Sequence, residues 1–144
     1  MDRYNFLKYE PAMTRIESDV TSVNKSPEEI YNFLSNFNNF QKLMPEQVTN
    51  WQSTEEECSF TIAGMASLGM KIAEKTPHSL IKVIRNGKAP FDFGLDCIIK
   101  ESSPGQSSVQ LAFDADLNPM MKKMAVKPLT NFLNLLVGKL STIA

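Results

Sequence analysis

The last quarter of the chain constrains the fold most. Leu117, Met120, Met121, Met124, Leu129, Phe132, Leu133, Leu136, Val137 and Leu140 recur at helical spacing and form one wide apolar stripe. Asn118 supplies a cap for this helix and Pro119 suits its first turn. Pro128 lies inside the stretch and is expected to kink it, because it lacks an amide hydrogen and crowds the preceding turn. Gly138 weakens the far end locally. A stripe this long must be covered by a surface of similar length.

The preceding segment offers that surface. From Val48 onward the pattern turns to period two. Cys58, Phe60 and Ile62 share one face, and Ala66, Leu68, Met70 and Ile72 share the next. Ser79 to Arg85 is apolar on both faces, with Leu80 and Ile84 against Ile81 and Val83. Phe91, Phe93, Leu95, Cys97 and Ile99 alternate with Asp92, Gly94, Asp96, Ile98 and Lys100. Val109, Leu111, Phe113 and Ala115 alternate with Ser108, Gln110, Asp114 and Asp116. Gly64, Thr76-Pro77-His78, a tight hairpin at Asn86-Gly87, and Pro104-Gly105 separate these runs.

Ahead of them, Arg15 to Val23 reads as a first strand. Ser26-Pro27-Glu28-Glu29 forms a capping box that opens a short helix through Ile30, Phe33 and Leu34 to about Asn36. A second short helix carries Phe37, Phe40, Leu43 and Met44 and stops at Pro45. Consecutive hairpins imply an antiparallel meander with one apolar face, and only the last helix is long enough to cover it. The expected class is α+β. A curved antiparallel sheet of about six to seven strands wraps around a long C-terminal helix, and two short helices follow strand one.

The 144 residues suit one domain, 13–144, behind an N-terminal arm over 1–12. Hydrophobic residues at 42% and charged residues at 22% fit a folded domain rather than disorder. A net charge of -1 without any lysine and arginine run argues against nucleic acid as a partner. No stretch reaches membrane-spanning length and the first residues lack a signal-like apolar core, so a cytoplasmic location without stable membrane insertion is expected. Cys58 and Cys97 sit in strand-like runs without a CxxC partner and are expected as reduced, half-buried thiols. With one histidine, no metal site is expected.

The element order resembles the helix-grip superfamily, which includes START lipid-transfer domains, birch-pollen-allergen proteins and bacterial polyketide cyclase/dehydrase-like proteins. The resemblance covers roughly Met13 to Ile143. It is carried by SPEEIYNFLSNFNNFQKLMP (Ser26 to Pro45) and by ADLNPMMKKMAVKPLTNFLNLLVGKL (Ala115 to Leu140). It implies a cavity between sheet and helix that takes a hydrophobic small molecule such as a lipid, isoprenoid or polyketide-like ring. The side chains expected to face it are Phe60, Ile62, Leu68, Met70, Phe91, Phe93, Leu95, Leu111 and Phe113 from the sheet, with Met121, Met124, Phe132 and Leu136 from the helix. The same stripe also fits a solid core.

Catalytic signals are weak. Gly64 to Lys71 has two glycines, but no lysine and hydroxyl follow the second, so it is no phosphate loop. His78 sits in a turn without a positioned partner. Asp92, Asp96, Asp114 and Asp116 look like paired acids, but alternation places Asp92 and Asp96 opposite the aromatic face, and only a one-residue slip would turn them inward for two-carboxylate hydrolysis; Lys71 and Arg85 fall on polar faces. Trp51 reads as an anchor at the sheet edge or a lid. No nucleophile–base pair and no cofactor fingerprint emerges. Binding is therefore expected, with a cyclase- or hydrolase-type enzyme and a co-chaperone-like interaction module as alternatives.

Overall fold

The computed structural model describes residues 13–87 and 89–143. The expected arm, 1–12, lies outside the described residues. The elements run β1 Met13–Glu17, β2 Thr21–Val23, α1 Pro27–Leu34, α2 Phe37–Phe40 with a 3-10 turn Gln41–Leu43, β3 Val48–Ser53, β4 Glu57–Ile62, β5 Ala66–Thr76, β6 Leu80–Arg85, β7 Phe93–Ser103, β8 Gln106–Asp116 and α3 Pro119–Ile143. The eight strands form one antiparallel sheet in the order β1-β8-β7-β6-β5-β4-β3, with β2 also paired to β8. Thus β3 to β8 are a meander and β1 returns beside the last strand. The α+β architecture with two short helices and one long terminal helix is as expected.

The expected first strand is two strands, which raises the count to eight. Ser18 breaks the ladder. Its amide donates to the Leu111 carbonyl (2.9 Å), but its hydroxyl, not its carbonyl, accepts from the Leu111 amide (3.0 Å). The displaced Ser18 carbonyl accepts from Gln110 Nε2 (3.0 Å), and the Asp19 amide donates to Asn134 Oδ1 of α3 (2.7 Å). A buried serine thus satisfies the kink and ties it to the helix.

The helix caps form as the sequence indicates. The Ser26 hydroxyl accepts from the Glu29 amide (3.2 Å) while the Glu29 carboxylate accepts from the Ser26 amide (3.0 Å). The hydrogen bond from the Ser26 backbone holds the Glu29 carboxyl below its ordinary value. Asn118 Oδ1 accepts from the Met121 amide (2.8 Å), and α3 then continues through Pro128 to Ile143.

The core lies between the concave face of the sheet and the helices. Ile30, Leu34, Phe37 and Phe40 of the short helices are buried, as are Leu129, Leu133, Leu136, Val137 and Leu140 of α3. Phe60, Val83, Leu95, Cys97, Val109 and Leu111 meet them from the strands. The opposite face is polar. There Arg15 pairs with Asp114 (2.6 Å) and Asp96 (3.4 Å), and Lys82 pairs with Asp96 (3.1 Å). Asp96 and Asp114 point out of the sheet, as the alternation requires. Partly exposed pairs of this kind stabilise little, so burial holds the fold.

Asn86-Gly87 is not a two-residue hairpin. β6 ends at Arg85 and β7 begins at Phe93, leaving a connection over 86–92. The Asn86 amide donates to the Gly69 carbonyl (2.8 Å), so the chain follows β5 for one more residue before turning at Gly87. Arg85 fastens the connection, with Nη1 donating to the Gly87 carbonyl (2.7 Å) and Nε to Asp92 (3.1 Å). Extended pairing at Asn86 wins over the local turn preference of the dipeptide, and Pro90 lacks the amide needed to extend β7 backward.

Candidate functional site

Two apolar spaces adjoin between sheet and helix. The inner one, about 30 Å³, is lined by Phe40, Met44, Phe60, Ile62, Leu68, Met70, Leu95, Phe113, Leu129, Phe132, Leu133 and Leu136. The outer one, about 190 Å³, opens near the start of α3. Its walls are Ile62, Met65, Ala66, Leu68, Pro90, Phe91, Phe113, Met121 and Leu129. Ile62, Leu68, Phe113 and Leu129 belong to both, so these four side chains form the partition.

The volumes matter. A cavity needs roughly 10–15 Å³ to hold a single water, and pockets for drug-sized ligands span about 300–1,000 Å³. The inner space is therefore a packing gap, and the cavity implied by the resemblance is largely filled there by side chains. The outer hollow exceeds the ~150 Å³ that suffices for a benzene-sized guest.

Of the thirteen side chains expected to face a cavity, Phe60, Ile62, Leu68, Met70, Phe91, Leu95, Phe113, Met121, Phe132 and Leu136 line one or both spaces. Phe93 and Leu111 are buried in the core behind them, with Phe93 stacked on Phe113 at 5.3 Å. Met124 does not face inward: it is 71% exposed, beside Met120 at 72%. At about 100° per residue Met120 and Met124 lie on the far side of the helix from Leu129, Leu133 and Leu136, so packing of these leucines turns both methionines outward. Phe40, Met44, Met65, Ala66, Pro90, Leu129 and Leu133 complete the walls. Leu129 and Leu133 lay in the apolar stripe and Phe40 and Met44 in the second short helix, whereas Met65 and Pro90 sit in connections where periodicity carries no signal.

Among the described residues, neither lining contains an ionisable side chain. His78 is exposed in the β5–β6 turn with φ 67°, its ring edge-on to Tyr31 at 5.7 Å. Lys71, Glu74 and Arg85 are exposed. Trp51 is a sheet-edge anchor, stacked on Phe60 at 5.2 Å with its Nε1 donating to Ser53 (3.0 Å). No group of three acid, histidine or cysteine side chains suited to a metal occurs among the described residues. Larger, shallow grooves of about 400 and 330 Å³ run over the outer face of β3 to β5 past Gln52, Ser59 and Asn86, open to solvent.

Cys58 and Cys97 are free and more fully buried than expected. Burial pushes both thiols up to about 12. An unfolded thiol ionises near its ordinary value of 9.0 while the folded one keeps its proton. Unfolding therefore becomes easier as pH rises above 9, by ~1.4 kcal/mol per pH unit for each thiol at most. Urea titrations at about pH 8 and pH 10 should show this loss, and Cys97→Ala should reduce it. Native protein should also resist a disulfide reagent at about pH 8. Labelling at the rate of a free thiol would contradict the burial.

No protein-family model matches the chain, and no curated protein matches it in sequence. Solved structures do match it. A START superfamily protein from Mycobacterium smegmatis superposes with a TM-score of 0.67 at 15% identity, covering 92% of this chain and 99% of that one. Norcoclaurine synthase from Thalictrum flavum gives 0.70 at 13% identity, covering 91% and 86%. A protein from Thermus thermophilus gives 0.73 at 11% identity, covering 90% and 95%. Likeness at this level of identity is a likeness of fold.

Proposed function

We propose, on the premise that the chain has the START-like helix-grip fold, that it binds an apolar small molecule entering through the hollow at the start of α3. The observation that carries this is the shared partition. Ile62, Leu68, Phe113 and Leu129 separate an open hollow from an inner gap, and both are lined by apolar residues. Met44, Met70, Met65 and Met121 surround them. Methionine is unbranched and repacks at low cost, so a guest that displaces these side chains joins the two spaces. With no ionisable lining, the apolar end of the guest enters first and any polar end stays in water at the mouth. A lipid, an isoprenoid or a ring of polyketide type fits these demands.

One neighbour in fold is a synthase. Acid–base catalysis in this chain requires a side chain placed to move a proton, and the linings offer none among the described residues, which supports binding over catalysis. A second reading has a specific observation behind it. An interior packed down to about 30 Å³ suits a protein-interaction module equally well.

Ala66 decides between them. It lies at the hollow's edge, paired with Ile62 and half-buried. Ala66→Trp should fill the hollow, weaken uptake of an environment-sensitive apolar dye at least tenfold (~1.4 kcal/mol) and leave the melting temperature within a few degrees. Native mass spectrometry of the wild type should show a copurified apolar mass. No such mass and no gain in dye fluorescence would end the binding proposal and leave the interaction module.

A further inference from the structure

We propose that Asn86-Gly87 is a self-modification site, at which Asn86 loses its side-chain amide to the backbone and the 86–92 connection then loosens. Asn86 is followed by glycine, and no other asparagine of the chain is. Asparagine is among the thermolabile residues. Its reaction needs the next backbone nitrogen to reach the side-chain carbonyl carbon. Gly87 leaves that nitrogen unscreened, because it carries no Cβ. It is exposed to solvent at φ 85°, with open space where a Cβ would lie, while Asn86 is half-buried.

The bonds that hold Asn86 leave this reaction open. Its backbone amide donates to the Gly69 carbonyl (2.8 Å) and is not the nitrogen that attacks. Among the described residues its Nδ2 reaches Glu57 Oε1 at 3.4 Å, outside the usual range of about 2.7–3.2 Å, so the side chain is not locked. In the reaction the Gly87 nitrogen gives its proton to hydroxide and attacks Asn86 Cγ. The N–Cγ bond forms, the Cγ–Nδ2 bond breaks, and ammonia leaves with a proton from water, which restores the hydroxide. Water then opens the resulting cyclic imide at either carbonyl. Opening at Cγ gives aspartate in an unchanged main chain. Opening at the main-chain carbonyl turns that group into a free carboxylate and routes the chain through the side chain, one atom longer.

Both products act on the same wall. Aspartate at this position sets a second carboxylate beside exposed Glu57, a like-charge pair of modest cost. The longer chain costs more. The carbonyl it converts is the one packed over buried Gly69, so a charged group arrives where the fold accommodates a neutral oxygen. The added atom also falls between Arg85 and Gly87, whose carbonyl Arg85 Nη1 holds at 2.7 Å. Pro90 and Phe91, farther along the connection, wall the hollow. Their loosening matters for uptake of a guest, and this consequence rests on the binding function proposed above. The modification itself does not.

Ageing the purified full chain for several days at about pH 9 tests this, with one sample folded and one unfolded in guanidinium chloride. Mass spectrometry of proteolytic fragments should place a new acid on Asn86 in both, with the folded rate within about tenfold of the unfolded one. Asn50, followed by Trp51, should stay an amide. An isoaspartyl-specific methyltransferase should label the aged chain and not the fresh one. The urea midpoint of the aged folded chain should fall. Asn86→Gln, whose side chain closes a larger and slower ring, should keep both its amide and its midpoint. Retention of Asn86 in the folded chain while the unfolded chain converts it overturns the proposal. So does conversion with an unchanged midpoint. Dye uptake separates this from the binding function. A fresh wild type that takes up no dye removes that function and leaves the modification standing, whereas a fresh chain that takes up dye should take up less once aged.

Discussion

Replacing Phe113 with alanine is expected to cost the fold about 3–5 kcal/mol and to open a ligand site in the same step. The residue is only 6% exposed. On β8 it stands opposite Leu95 of β7 and Ile16 of β1, and its ring stacks on Phe93 at 5.3 Å. Its loss removes apolar burial and leaves a void that neighbouring strands cannot collapse into, since both are held by their ladders. The void is also placed unusually. Phe113 lines the inner gap and the outer hollow at once, so truncation joins them. A dry apolar cavity of that size binds small apolar guests.

Benzene should therefore return stability to Phe113→Ala, by ~2.7 kcal/mol at a hundred times its dissociation constant. Phe37→Ala is the control. Phe37 is 0% exposed and packs edge-on to Phe40 at 5.0 Å, but it lines neither space. It should lose comparable stability with much weaker rescue, because its cavity joins neither space. Denaturant midpoints with and without benzene decide the matter. Equal rescue of both variants, or none, would mean that Phe113 does not partition two connected spaces.

The closed interior and the proposed function are compatible because the partition is made of side chains rather than backbone. Opening it requires rotamer changes at Leu68, Phe113 and Leu129, with methionines on either side to take up the displaced volume. The ladder hydrogen bonds stay intact. Under the proposed function the guest's size, and not any charged anchor, would be the main filter on what binds.

The sequence was most legible where one strong pattern had no rival. The alternation from Phe93 to Ile99 and from Val109 to Ala115 placed every inward residue correctly, because a one-residue slip would have buried Asp96 and Asp114. The capping box at Ser26 was equally legible, since its partners lie three residues apart. Failures came where distant partners decide. Nothing local says that Ser18 lends its hydroxyl to Leu111 and splits a strand, because the partner is 93 residues away. Asn86-Gly87 has the composition of a tight turn, yet Asn86 pairs onward with Gly69. Met124 shares a broad stripe with residues that do face inward, and only the packed helix reveals its true side. Cavity volume was the least legible, because it depends on the fit of a dozen side chains from six elements.

Gly69 carries the second large effect, and the reason is again that distant pairing. Gly69 looks like an ordinary strand glycine, opposite Ser59 of β4. In the fold, a Cβ placed on it would lie 2.2 Å from the Asn86 carbonyl oxygen, a backbone atom. The obstacle cannot swing away as a side chain would. Gly69→Ala must therefore push β5 from the 86–92 connection, breaking or stretching the Asn86 amide bond to the Gly69 carbonyl. The expected loss is at least ~2 kcal/mol, toward the upper end of overpacking costs. Gly64→Ala separates this close approach from backbone strain. Gly64 has φ 80° with nothing near its Cβ position, so alanine there should cost only ~1 kcal/mol, the strain of the left-handed region. The two variants should also differ at the hollow. Pro90 and Phe91 on the connection form part of its wall, so Gly69→Ala should weaken dye uptake as well as stability. Paired urea titrations and dye titrations measure both quantities. If Gly69→Ala proved no costlier than Gly64→Ala, the connection would not be pinned against β5, and the hollow would lose the wall that gives it a fixed shape.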